Sequence, residues 1–151
     1  MNLQEEIKIM KERIAELEEL AKEEQEFPQD GDKYWYMDDE GAVFCEFYNH
    51  YIDKYHQEIG NSFRTEEEAE FAVEKLKVEV ELRKYSDSWN LEKTQRTFSL
   101  NWETGKLEVE YPDYNQFPNS YYFDSINGLR LAIETVGEER IKKYIFGVEE
   151  E

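Results

Sequence analysis

Apolar side chains in the first stretch of the chain fall at alternating steps of four and three: Leu3, Ile7, Met10, Ile14, Leu17 and Ala21. That spacing predicts a helix over residues 2–26 with a coiled-coil seam, ended by Phe27-Pro28. With Ile7 at heptad position a, Glu6 and Lys11 occupy g and the following e, as do Arg13 and Glu18, and both pairs attract across a parallel dimer. An antiparallel pairing also brings Lys11 near Glu18, so the pattern leaves the orientation open. Two roles fit the stripe. It makes a homodimer or higher oligomer through Leu3, Ile7, Met10, Ile14 and Leu17, or it packs on, or extends from, the chain's own globular part.

Pro28-Gln29-Asp30-Gly31-Asp32 reads as a linker, since Pro and Asp-Gly both interrupt periodic structure. Beyond it the pattern occurs twice. Tyr34-Trp35-Tyr36-Met37, an acidic turn ending at Gly41 and a second apolar run lead to Phe63-Arg64-Thr65 and a helix. Later come Thr97-Phe98-Ser99-Leu100, a turn ending at Gly105, a strand from Leu107 to Tyr111, then Phe123-Asp124-Ser125 and another helix. Leu107, Val109 and Tyr111 alternate with Lys106, Glu108 and Glu110, the period of a strand with one buried and one wet face. Gly41 and Gly105 suit the left-handed position of a hairpin turn.

Thr65-Glu66-Glu67-Glu68 matches a capping box and marks a helix start. Two stripes follow in that helix: Ala69, Ala72, Val73, Leu76 and Val80, and beside it Phe71, Val78 and Leu82. A second helix, roughly 125–136, buries Ile126, Leu129, Ala132, Ile133 and Val136 and stops at Gly137. Residues 138–144 form one short helix more. The expectation is an α+β protein: residues 1–27 an amphipathic helix, and 28–151 a domain of two pseudo-repeats, about 31–85 and 95–146, each a β-hairpin and helix with antiparallel sheet.

Composition changes the picture in one respect. The 151 residues carry a net charge of −19, spread along the chain, yet include 11 Tyr, 9 Phe and 3 Trp, too many aromatics for a disordered segment. Such a field repels nucleic acid and anionic membranes and attracts basic surfaces, so the expected partner is a basic protein, with no direct nucleic-acid or membrane binding. A single cysteine excludes an internal disulfide and suits a reducing cytoplasm. No stretch has the length of a membrane span.

Candidate chemistry is sparse. His50 and His56, six apart with Asp53 between them, fit neither a helical nor a strand pair of ligands; a packing or surface role suits them and no metal is expected. Cys45, in an apolar run, reads as a buried inert thiol. Phosphate-binding, nucleophile-elbow and zinc-protease motifs are absent from the sequence, so no catalytic residue or cofactor is assigned and a non-enzymatic role is expected. Two groups remain as candidate partner contacts. The aromatic one is Tyr34, Trp35 and Tyr114, since Tyr and Trp offer rigid contact area with a polar handle. The acidic one is Asp38, Asp39, Glu40, Glu66, Glu67 and Glu70, whose carboxylates could imitate a phosphate backbone in a basic groove. A pocket stacking a small planar ligand is the competing use of the aromatics. Against it stands the scarcity of Lys and Arg within the aromatic stretches.

Gly31-Asp32-Lys33-Tyr34-Trp35-Tyr36, Gly60-Asn61-Ser62-Phe63-Arg64-Thr65-Glu66-Glu67-Glu68-Ala69-Glu70 and Gly137-Glu138-Glu139-Arg140-Ile141-Lys142-Lys143-Tyr144 resemble a group of small acidic accessory proteins of phages and prophages of Gram-positive hosts. The resemblance covers most of the chain beyond residue 26 and brings no catalytic residue with it. It implies an inhibitor of a host defence protein, such as an anti-CRISPR that binds a CRISPR or other defence nuclease in the host cytoplasm. A sponge for a nucleotide immune signal and an assembly adaptor dimerising through the first helix are the alternatives.

Overall fold

A computed structural model describes residues 2–23, 26–112 and 121–149. Among them the order is α1 (Leu3–Glu23), β1 (Lys33–Met37), β2 (Val43–Phe47), α2 (His50–Glu58), α3 (Glu66–Tyr85), β3 (Thr97–Asn101), β4 (Lys106–Glu110), α4 (Ile126–Val136) and α5 (Glu138–Tyr144). The protein is α+β, with two separate two-stranded antiparallel sheets, β1-β2 and β3-β4. It forms two compact units, Met1–Asp38 with Ala42–Glu66, and Asp39–Gly41 with Glu67–Glu151. The division falls at the start of α3, so that helix, read from sequence as part of the first pseudo-repeat, is counted with the second unit.

In the first unit, β1 pairs with β2 from Lys33↔Phe47 to Met37↔Val43. Asp38 closes the turn, its Oδ1 accepting the Ala42 N–H at 2.8 Å. The edge of β1 gains two more partners. Trp35 and Phe63 exchange backbone hydrogen bonds of 2.9 Å, and the Asn61 amide both accepts from the Met37 N–H and donates to the Met37 carbonyl. Helix α1 starts on a reciprocal box: Asn2 Oδ1 accepts the Glu5 N–H at 2.9 Å, while the Glu5 carboxylate accepts the Asn2 N–H at 3.1 Å. All of residues 2–22 are exposed, the seam included.

The second unit holds the larger apolar core. Val78 and Leu82 of α3, Phe98 of β3, Phe123, Leu129, Ala132 and Val136 of α4 and Ile141 of α5 pack together. The two stripes read on α3 are each used over half its length: Ala69 and Val73 are buried early, Val78 and Leu82 late, while Leu76 and Val80 are exposed. The step of five from Val73 to Val78 turns the buried face around the helix, so the first stripe runs out of cover midway. The alternation in β4 is also weaker than expected. Leu107 packs on the core, but Val109 and Tyr111 are exposed, so the core covers only the beginning of that face.

Phe123 bridges back to Arg96, just before β3, as Phe63 bridges to β1. Both phenylalanines stand three residues ahead of a helix, which is the physical content of the sequence repeat. Helix α4 begins where Ser125 Oγ accepts the Gly128 N–H at 3.0 Å and ends at Gly137, whose φ of 102° only glycine adopts without strain. Arg140 of α5 then clamps Glu81 of α3 with two hydrogen bonds, 3.0 and 3.2 Å.

Two outcomes follow from these contacts. Ser125→Ala removes the α4 cap and should cost about 1 kcal/mol, read as a lower chemical-denaturation midpoint; an unchanged midpoint refutes the cap's role. The Arg140 guanidinium holds the Glu81 carboxyl below the usual glutamate range. With the folded value depressed, the pair's contribution is whole at neutral pH and is lost as pH falls below the ordinary glutamate range. Both side chains are more than a third exposed, so Glu81→Gln should cost under about 1 kcal/mol at pH 7 and flatten the acid decline. Denaturation of both proteins at neutral and acid pH checks this.

Candidate functional site

Helix α2 has its faces reversed. Its inward side is polar: Asp53, only 5% exposed, His56 and Gln57. Asn49 caps the helix by accepting the Tyr51 N–H, and the Asp53 carboxylate accepts the Asn49 N–H at 2.8 Å. Tyr48 donates to Gln57 Oε1 at 2.7 Å, and the Gln57 amide donates to the Phe27 carbonyl at 3.3 Å. The Tyr34 hydroxyl lies 2.9 Å from His56 Nδ1, and Tyr36 stacks on the same imidazole with centroids 4.5 Å apart. Polar groups this well partnered can be buried without the usual desolvation loss.

The outward side is apolar. Tyr51, Ile52, Tyr55 and the C-cap Ile59 follow one another at helical spacing and are between 63% and 87% exposed. No inward apolar face marks this helix in the sequence, because the side that it buries is polar. The signal was present in Tyr51, Tyr55 and Ile59 at steps of four.

Several sequence expectations are corrected in the same unit. Tyr34 is fully buried, edge-on to Tyr48 at 5.7 Å, and so belongs to the core instead of an aromatic contact surface. Cys45, expected buried, is exposed, since β2 shows most of its side chains to solvent. Both histidines lie on α2, and His56 is spent in packing. Trp35 is half-buried, with the Lys33 ammonium 5.3 Å from its ring. Tyr114 lies outside the described residues.

The acidic candidates divide. Asp38 is half-buried and committed to the β-turn. Asp39 and Glu40 are exposed and belong with the second unit, as do exposed Glu67 and Glu70 of α3; Glu66, also exposed, is counted with the first. Gly41, with φ +85°, lies against α3: a Cβ built on it would sit 3.5 Å from Val73 Cγ1. Leu3, Ile7, Met10, Ile14 and Leu17 line α1, all exposed.

A cleft of about 630 Å³ opens in the second unit, lined by Lys75, Glu79 and Arg83 of α3 together with Ser86, Tyr121 and Tyr122. Burial, then the nearby Glu79 charge, pushes the Tyr121 phenol up. The aromatic stretches themselves are poor in cations, but the fold brings Lys75 and Arg83 into one cleft with two tyrosines from far along the chain, where Glu79 and Asp87 also stand.

Among the described residues no group of three or more His, Cys, Asp and Glu is placed to hold a metal ion, and no helix is long and apolar enough to cross a membrane. Compared with known protein families, curated proteins and solved structures, the chain matches none.

Tyr34→Phe should lower stability by about 1 kcal/mol through the lost contact to His56. Burial, then Asp53, raises the Tyr34 phenol well above its ordinary range. Its contribution is therefore present up to about pH 10 and lost above it, so the variant should show less alkaline destabilisation than the parent. Denaturation midpoints between neutral and strongly alkaline pH decide the point.

Proposed function

We propose that the protein is a non-enzymatic, phage-encoded inhibitor of a host defence nuclease, acting in the host cytoplasm by occupying the nuclease's basic nucleic-acid-binding groove. The observation that carries a protein-binding reading is the reversed α2. Its fold-making face is polar and its exposed face, Tyr51, Ile52, Tyr55 and Ile59, is of the kind that anchors interfaces once desolvated. Charge selects the partner: a chain of net −19 with exposed Asp39, Glu66, Glu67 and Glu70 is drawn to a cationic surface and competes there with phosphate. The resemblance to phage accessory proteins supplies the biological setting.

A second reading, a sponge for an anionic nucleotide signal, is favoured by the cleft that sets Lys75 and Arg83 beside Tyr121 and Tyr122. Calorimetry with cyclic nucleotides separates the two. Binding that Lys75→Ala and Arg83→Ala abolish favours the sponge.

The inhibitor reading is tested by capturing partners of the tagged chain from a bacterium with active defence systems, then assaying the purified nuclease. Inhibition should weaken steeply with salt and yield to added nucleic acid. Changing Asp39, Glu67 and Glu70 together to Lys should abolish it with the circular dichroism spectrum intact, and Tyr51→Ala with Tyr55→Ala should weaken it. Inhibition indifferent to salt and to the triple reversal overturns the mimicry.

A further inference from the structure

We propose that α1 is covered by α1 of a second copy of this chain, as a parallel, in-register, two-stranded coiled coil. Leu3, Ile7, Met10, Ile14 and Leu17 are 42% to 75% exposed along a helix whose every described side chain faces solvent. Most of a helix's stability in a protein comes from packing of its amphipathic face, so an apolar stripe without cover along the 21 residues of α1 calls for a partner.

The seam is complementary to itself. Ile7 and Ile14 fall at a, and Leu3, Met10 and Leu17 at d; β-branched residues at a with Leu at d favour two parallel strands. Charge fixes the register. In the parallel arrangement Glu6 meets Lys11 of the other copy and Arg13 meets Glu18, each pair occurring twice by symmetry. The antiparallel register that matches the same apolar residues, Ile7 with Leu17 and Met10 with Ile14, sets Lys11 against Lys11 and Arg13 against Arg13. Sliding it until Lys11 meets Glu18 leaves both Leu3 and Ile7 without a partner within α1. In the single chain Arg13 pairs with Glu16 in an exposed i,i+3 bridge, a weak contact it can leave for Glu18 of the partner. Two molecules of net charge −19 repel at long range, so attraction must come from such local pairs and from the seam.

The test uses the full-length chain. Light scattering at micromolar concentration should give a dimer. In a Cys45→Ser background, Met10→Cys should form a disulfide between the two copies when a disulfide oxidant such as oxidised glutathione is added, because identical d positions face each other only in the parallel register. Glu6→Lys and Lys11→Glu should each weaken dimerisation roughly tenfold, and mixing the two variants should restore it, since each then supplies the charge the other lacks. Circular dichroism of both variants controls for misfolding. A monomer, a Met10→Cys chain that fails to cross-link, or charge variants that the mixture does not restore overturns the proposal.

Discussion

A two-stranded hairpin does not hold itself together in water: half its backbone groups and one whole face need cover from elsewhere. Each hairpin here meets that constraint with a phenylalanine that returns to the start of the hairpin, Phe63 on Trp35 within β1 and Phe123 on Arg96 just ahead of β3, three residues before a helix begins. The covers differ in chemistry. The second unit supplies an apolar core of α3, α4 and α5 side chains, where burial itself stabilises. The first relies on Tyr34, Tyr48, Asp53, His56 and Gln57, where every buried polar group must find a partner and geometry is correspondingly strict.

That difference explains what the sequence made legible. In the second unit local signals agree with the fold: Ser125 and Gly137 bracket α4, Gly105 turns the β3-β4 hairpin, and 138–144 is helical as read. The α+β class, both hairpins and α1 were likewise readable from periodicity. Helix α2 was not, because its inward residues are Asp, His and Gln and only tertiary partners make such a face bury. Tyr34 misled for the same reason, since a tyrosine looks equally fit for surface and core until its hydroxyl has a partner. The cleft was hidden because Lys75, Arg83 and Tyr121 meet only through the fold.

Beyond carboxylates such as Asp38, Asp53 and Glu81, which hold local structure, acidity runs through the whole chain. Several of the ion pairs are exposed i,i+3 bridges, Arg13–Glu16, Lys22–Glu19 and Lys77–Glu74, which contribute little. With 37 acidic against 18 basic residues, self-repulsion opposes the compact state, and the cores must outweigh it. A cationic partner relieves that repulsion on binding, so charge that is a burden to the lone molecule favours the complex.

Helix α1 carries a consequence of a different kind. Among the described residues no neighbour packs over it, so its backbone hydrogen bonds are shielded only by the next turn of the same helix. In a lone molecule its amide protons exchange with solvent at the pace of local fraying, while those of α3 and α4 wait for larger openings of the core. Protection of α1 amides from exchange is therefore a measure of whatever lies upon the helix.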